Sequence, residues 1–420
     1  MTLTSPAFPL AVALIVAPFV VVLQSKAMAP VGLVALAFAV IAHLRATRSL
    51  PWPRGPVVAA AAALGLWAAV SALWAIEPGR AIGTGLSMAA MALLAGSAAT
   101  AVRDIDDATR RRLVLALAIG LVLGLSAAAI DALTGNAIRA GVRGLRDVPA
   151  TLVFGLKPAA SVMALLLPLA VALPWPFLPR ALLLLAGAAV LVALPGDTAK
   201  IAAVLGLVVA GATALAPRLV PRLLGAGIAA TILVMPLLVA AIPTLPVERL
   251  PGSALHRMLI WDFTAERIAE RPLLGWGMEA SRTVPGGRDN PSPEALARMR
   301  VTDPALLRWF AEPHINILPL HPHNGALQVW LELGAVGALI AAALAWLLGV
   351  AATRVPCSPA AAGALASAAV TAMLSFGAWQ AWWVAAMMLA AAVCVALPGR
   401  ALPSPRPLPQ RAEGPFEPGN

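Results

Sequence analysis

His323 is the residue of this chain best placed to do chemistry. It closes the run His321-Pro322-His323-Asn324-Gly325 and opens an apolar segment that continues through Leu333 to Gly334-Ala335-Val336-Gly337. Histidine is the side chain most easily set to take or give a proton near neutral pH. Here it stands where polar sequence meets apolar sequence, in a chain with few other catalytic polar groups. Counted in helical steps, Leu327, Trp330, Gly334 and Gly337 fall on one stripe below it. Small residues on such a stripe let a second helix or a lipid chain approach closely, so a groove is expected beneath the imidazole. Asn324 is suited to cap the helix or to orient His323.

Three basic residues fall where they can accompany that histidine. Lys200 follows Gly196-Asp197-Thr198-Ala199 at the outer end of an apolar run, and Arg257 sits beside His256. Arg143 and Arg146 precede another run, which has Lys157-Pro158 at its start. A face carrying Lys200, Arg257 and Arg143 suits a phosphate-bearing ligand, because fixed cations stabilise charge on phosphoryl oxygens. The competing use of histidine is metal binding. His314, His321 and His323 can supply imidazoles, but no cysteine or clear carboxylate completes a familiar zinc spacing, so no metal and no cofactor is expected.

The elements that position these residues are membrane helices. The chain is 60% hydrophobic and 12% charged, against about 25% charged in soluble domains. Apolar runs of about 20 residues can each cross a bilayer. The runs read as twelve spans, near 8–24, 28–44, 57–75, 81–100, 113–132, 153–173, 180–195, 199–216, 223–243, 323–349, 358–377 and 378–398, the last two separated only around Phe376-Gly377-Ala378-Trp379. The fold class is therefore an all-α polytopic membrane protein. Residues 1–243 hold nine spans, 244–322 form a large loop, 323–398 hold three more, and 399–420 make a Pro-rich tail. The segment Phe8 to Gln24 lacks a basic leader region and reads as the first span, not a cleaved signal.

Short loops place the charge. Arg45, Arg48 and Arg54, then Arg103, Arg110, Arg111 and Arg112, then Arg180, Arg218, Arg222 and Arg354, with Arg400, Arg406 and Arg411 of the tail, fall on one side if both ends are inside. This bias sets orientation, with the histidine-bearing face outward. The long loop carries nine arginines, from Arg249 to Arg308, and nine acidic residues. Long translocated loops are exempt from the rule. Apolar spacing at Leu255, Leu259, Ile260, Phe263, Ile268 and Leu273-Leu274 predicts a helix there, stopped by Arg271-Pro272 and Gly275-Trp276-Gly277. Residues 285–304 read as an exposed excursion. The net charge of +11 is scattered between spans and points to no nucleic acid. Asp104-Ile105-Asp106 falls on the side away from the histidines, and Cys357 and Cys394 read as small buried hydrophobes. Within the spans Asp131 reads as the one clear ionisable residue, and that scarcity argues against a small-anion or lipid transporter.

Taken together, these residues resemble the O-antigen ligase and O-antigen polymerase superfamily of bacterial inner membranes. The ligase signature is His followed by Asn, Ser or Gln, nine residues, Gly, two residues, then Gly, Thr or Tyr. His323-Asn324, residues 325–333, Gly334 and Gly337 match it throughout. A second signature, a basic residue with glycine ten to twelve residues on, is met by Lys200 and Gly211, with lysine where the family usually has arginine. Arg257 to Gly277, with Trp261 and Pro272-Leu273-Leu274-Gly275, looks like a segment of that family's periplasmic loop.

The resemblance implies a metal-independent inverting glycosyltransferase in the inner membrane, active at the periplasmic face. Its donor would be an undecaprenyl-diphosphate-linked glycan and its acceptor a sugar hydroxyl of lipid A-core. His323 would be the general base. Lys200 and Arg257, with Arg143 as helper, would hold the diphosphate, and Asn324, Gly334 and Gly337 would support the site. A polymerase of the same superfamily, joining one lipid-linked glycan to another, shares the same site residues.

Overall fold

The computed structural model of the protein describes residues 1–247 and 250–399. Arg249 and the Pro-rich tail beyond Gly399 lie outside the described residues. All regular structure among the described residues is helical. Helices α1 (Ala7–Leu23), α2 (Met28–Thr47), α3 (Pro56–Val70), α4 (Pro78–Ala101) and α5 (Asp107–Leu133) lead into a short α6 (Ala137–Val142). There follow α7 (Leu156–Leu166), α8 (Phe177–Ala193), α9 (Asp197–Leu215) and α10 (Val220–Ala240). The long loop contributes α11 (Gly252–Glu270), α12 (Pro293–Arg298) and α13 (Pro304–Phe310), before α14 (Gly325–Ala352), α15 (Ser358–Leu374) and α16 (Ala381–Ala396).

Eight of these segments are long and apolar enough to cross a membrane, and four shorter apolar helices, α1, α8, α15 and α16, accompany them. Together they fall on the twelve expected spans. Only a helix satisfies its own backbone in hydrocarbon, which is why runs so rich in Ala, Leu and Val take this form. Proline starts several of them at the first helical turn, where its missing N–H costs nothing, as in α3 and α4. Asp106 caps α5 by accepting from the Thr109 N–H at 2.8 Å, which gives that acid a structural task. The principal packed pairs are α10 with α14, α9 with α15, α1 with α5 and α3 with α4. Small residues line these seams; a Cβ at Gly65 would lie 2.5 Å from the Ala89 nitrogen.

Three acidic or basic residues, Asp131, Arg139 and Glu332, are fully buried among the described residues, and each has partners. Asp131 and Arg139 pair at 2.6 Å with neither side chain exposed. Arg139 also donates to the Leu152 carbonyl at 2.6 Å, which ties the α5–α7 connection together. A buried pair of this kind is held by its full set of hydrogen bonds. Asp131 is not, however, the one ionisable residue within the spans. Glu332, in α14, is fully buried as well, and an i, i+4 pairing with Gln328 hides it within an otherwise apolar run.

The loop between α10 and α14 packs against the bundle. Leu255, Leu259 and Ile260 of α11 share a core with Phe310, Leu318, Ala326 and Leu327. α11 ends at Arg271, where the sequence stops it. Residues 285–304 are not a free excursion: Leu296, Met299 and Val301 are buried, and Arg298 bonds both Asp262 (2.7 Å) and Glu266 (2.6 Å) of α11. The apolar side chains at 296, 299 and 301 outweigh the polar composition around them.

Candidate active site

The ends of α7, α9, α14 and α15 meet where α11 lies over the bundle. The His323 imidazole donates from Nδ1 to the Ser375 carbonyl at the end of α15, 2.6 Å away. Thr198, in the first turn of α9, donates to the neighbouring Leu374 carbonyl at 3.3 Å. The α9 start also touches α7, since a Cβ at Gly196 would lie 3.1 Å from Lys157 Cγ. From above, the Trp261 indole of α11 donates to the Pro322 carbonyl at 2.8 Å and pins the histidine turn. These ends are the ones that an alternating twelve-span topology places on a single face.

The geometry at His323 decides its protonation. A backbone carbonyl can only accept, so Nδ1 carries the proton and Nε2 is left as the lone pair of a neutral ring. Burial is the main cause that pushes His323 below its ordinary range, and Arg257, His256 and Lys157 add to it; the Ser375 carbonyl works the other way. The ring is therefore unprotonated at neutral pH, the state a general base requires. His323 also adopts φ 55°, a left-handed conformation uncommon for a residue with a side chain. Strain of this kind is found at functional sites, where the surroundings over-determine it.

His321 packs edge-on at its side, with ring centroids 4.3 Å apart and planes inclined by 61°. Its Nδ1 accepts from the His323 backbone N–H at 3.2 Å. Burial, then the neighbouring His323, Arg282 and Arg257, push it down to about 3, so it stays neutral. His256 points elsewhere, bonding the Asn316 carbonyl at 2.9 Å, and His314 faces solvent beside Glu312. No group of three or more His, Cys, Asp or Glu side chains with metal-binding geometry is assembled among the described residues.

The cations that act on His323 are Arg257 and Lys157, and Arg282 and Arg257 act on His321. Arg257 and Lys157 are half-buried, and Asp197 acts on both. Among the described residues neither has an ion-pair partner within bonding distance. Lys157 lies over the Phe154 ring, 4.4 Å from its centre. Lys200 stands one turn further along α9 and pairs with the exposed Asp197 at 3.1 Å. An exposed pair of this sort is weakly held and easily exchanged for another anion. Arg143 caps α6 in an exposed stretch, and no described contact ties it to α11 or the imidazoles. Lys157 was legible only as a lysine before proline at a span start; its neighbours come from α9 and α11, more than 39 residues away in sequence.

The two glycines of the motif do something other than line a groove. Asn324, not His323, begins α14, its Oδ1 accepting from the Leu327 N–H at 3.0 Å. The imidazole therefore precedes the helix, and the stripe counted from it does not exist. At Gly334 the helix breaks, with φ 63° and ψ −164°, a conformation suited to glycine. Into the break comes the loop segment Pro272-Leu273-Leu274-Gly275. The Trp276 and Gly277 N–H groups donate to the Leu331 and Glu332 carbonyls (2.8 and 2.9 Å), and Ala335 N–H donates to the Pro272 carbonyl at 2.8 Å. The Trp67 indole donates to the Leu333 carbonyl at 3.1 Å. Non-helical backbone at this depth is tolerated because protein surrounds and satisfies it. The groove expected for a second helix or a lipid chain is thus filled by residues 272–277. At Gly337 a Cβ would meet the Leu333 Cβ at 2.2 Å, so that glycine also serves the break.

A substitution tests this account. A Cβ at position 334 would lie 2.3 Å from the Leu273 carbonyl oxygen. Gly334→Ala is expected to cost about 3 kcal/mol or more, from strain and overlap together. A fall in the melting temperature of the detergent-solubilised protein is the expected reading; an unchanged one would show that the loop does not occupy the break.

A family model described as O-antigen ligase matches residues 151–342, from the start of the α7 span through the break in α14. Residues 151–342 are similar to the O-antigen ligase-type superfamily. The O-antigen ligase-type segment thus contains Lys157, Lys200, Arg257, His323 and Glu332, while Ser375 and Trp379 come from beyond it. A protein named "Putative polysaccharide ligase" from Rickettsia prowazekii is 31% identical over 135 residues, covering 31% of this chain and 29% of the relative. The corresponding proteins of Rickettsia conorii (30% over 135 residues, 31% and 29% covered) and Rickettsia bellii (31% over 136 residues, 32% and 29% covered) are similar to it in the same way. The aligned stretch spans less than a third of the length of these curated relatives. No solved structure matches the chain.

Proposed function

We propose that this chain is an O-antigen ligase, an inner-membrane glycosyltransferase working at the periplasmic face. His323 Nε2 takes the proton of an acceptor sugar hydroxyl on lipid A-core as that oxygen bonds to the anomeric carbon of an undecaprenyl-diphosphate-linked glycan. The bond from that carbon to the diphosphate breaks on the opposite side, so the configuration inverts. Undecaprenyl diphosphate leaves with the electron pair, and its charge is met by Arg257 and Lys157, with Lys200 at the rim. Preorganised cations in a water-poor site are worth far more than the same charges in water. Arg257 offers the planar fork that suits phosphate oxygens, and the lysines act as point charges.

One observation carries this reading: a neutral imidazole, its Nδ1 proton held by the Ser375 carbonyl, is acted on by two half-buried cations that have no ion-pair partner within bonding distance among the described residues. The test is lipopolysaccharide profiling of a strain lacking the chain. Bare core with accumulating lipid-linked polymer is the expected phenotype, restored by the wild type and not by His323→Ala. Core bearing a single repeat would identify a polymerase instead, and an unaltered profile would remove both.

A further inference from the structure

Glu332 is an ionisable group inside the bundle that the proposed reaction does not use. Its carboxylate collects four donors. Oε2 accepts from the Glu279 backbone N–H at 2.6 Å and from the Trp379 indole N–H at 2.7 Å. Oε1 accepts from the Ser281 hydroxyl and from the Gln328 amide at 3.0 Å. Gln328 then accepts, through its own Oε1, the Ala378 N–H at 2.8 Å. Two segments meet on this one side chain, the 279–282 turn and the α15–α16 connection.

Both segments reach the histidines. The 279–282 turn carries Arg282, which pairs with Glu279 and acts electrostatically on His321. The connection carries Ser375, whose carbonyl takes the His323 proton, and Gly377, where a Cβ would lie 3.1 Å from the His321 ring. It also carries Gln380, whose amide nitrogen is 3.5 Å from His321 Nε2. The sequence between the last two spans is thus a bracket around the imidazoles, and Trp379 attaches it to Glu332.

We propose that Glu332 is a positioning residue for His323, fixing the 375–380 connection, and with it the Ser375 carbonyl, so that the imidazole keeps its proton on Nδ1 and its lone pair on Nε2. The inference rests on the reading of His323 as the base. A four-donor carboxylate is suited to this task because each donor fixes one direction in an apolar surrounding, where a lost partner is costly. Loosening the bracket removes the acceptor that specifies the tautomer.

The test uses full-length protein in nanodiscs, with 15N-labelled histidine, comparing wild type with Glu332→Gln and Trp379→Phe. The resonance of His323 is identified by its loss in His323→Ala. In wild type it should show a protonated Nδ1 and an unprotonated Nε2. Both variants should populate the other tautomer. In a transfer assay with a lipid-linked glycan donor, kcat should fall about 10- to 100-fold, the scale of a misplaced catalytic group, while KM for the donor changes little. The acid limb of the pH–rate profile should move to lower pH, because losing the carbonyl partner weakens the base. Should Glu332→Gln fail to accumulate in the membrane, Trp379→Phe, which removes one donor and keeps a ring, decides alone. An unchanged His323 tautomer in a folded variant overturns the proposal. The tautomer is read without any turnover, so absence of transfer in wild type would count against the proposed reaction and not against Glu332.

Discussion

His323→Ala is expected to lower glycan transfer by about 10²- to 10⁴-fold, the usual contribution of a positioned general base. The protein should still insert and fold, since Asn324 caps α14 without help from the imidazole, and Trp261 holds the turn through the Pro322 carbonyl. Transfer at the wild-type level in this variant would dismiss His323 as base. The same residue sets the pH dependence. A base works unprotonated, and burial holds the folded-state pKa of His323 below its ordinary 6.5. Transfer should therefore remain level from neutral pH down past 6.5 and decline only as the ring protonates in more acid solution. A decline that begins above 6.5 would assign the limb to another group.

Removal of Arg257 should have the second largest effect. A charged hydrogen bond to phosphate is worth about 1.5–3 kcal/mol, which corresponds to a loss of about 10- to 150-fold in kcat/KM for the donor. Arg257→Lys should recover part of that, because the charge survives and the fork does not. Lys157→Ala should fall in the same direction. Lys200→Ala should cost less, since its exposed pairing with Asp197 marks it as rim. Steady-state kinetics on purified protein with a lipid-linked glycan distinguish these cases. An Arg257→Ala enzyme with unaltered donor kinetics would put the diphosphate elsewhere, and a Lys200 effect larger than that of Lys157 would restore the order suggested by the family signature.

Much of the architecture is legible in one dimension, for a physical reason. A bilayer leaves an apolar run of about 20 residues no alternative to a helix that satisfies its own backbone, so length and composition suffice to locate spans. The same holds for α11, whose apolar spacing and Arg271-Pro272 stop are local properties. Asn324 as a cap is local as well: the acceptor and the donor it serves are three residues apart. The motif around His323 likewise marks the candidate base without reference to any fold.

Distances between remote segments are another matter. Nothing near residue 157 announces that Lys157 meets Arg257 and Asp197, because that meeting is made by α7, α9 and α11 packing at one end of the bundle. The stripe beneath His323 failed for a related reason. Helical counting assumes an unbroken helix, and Gly334 breaks α14 so that residues 272–277 can enter and bond its freed carbonyls. Glu332 was overlooked because a single acid among apolar residues carries no pattern; its four donors come from positions 279, 281, 328 and 379. Sequence by itself determined which segments form long apolar helices and which residue is the candidate base, since both depend on side-chain chemistry and near neighbours. Tertiary structure alone decided which cations stand by that residue and what holds its tautomer, since those depend on contacts that no periodicity encodes.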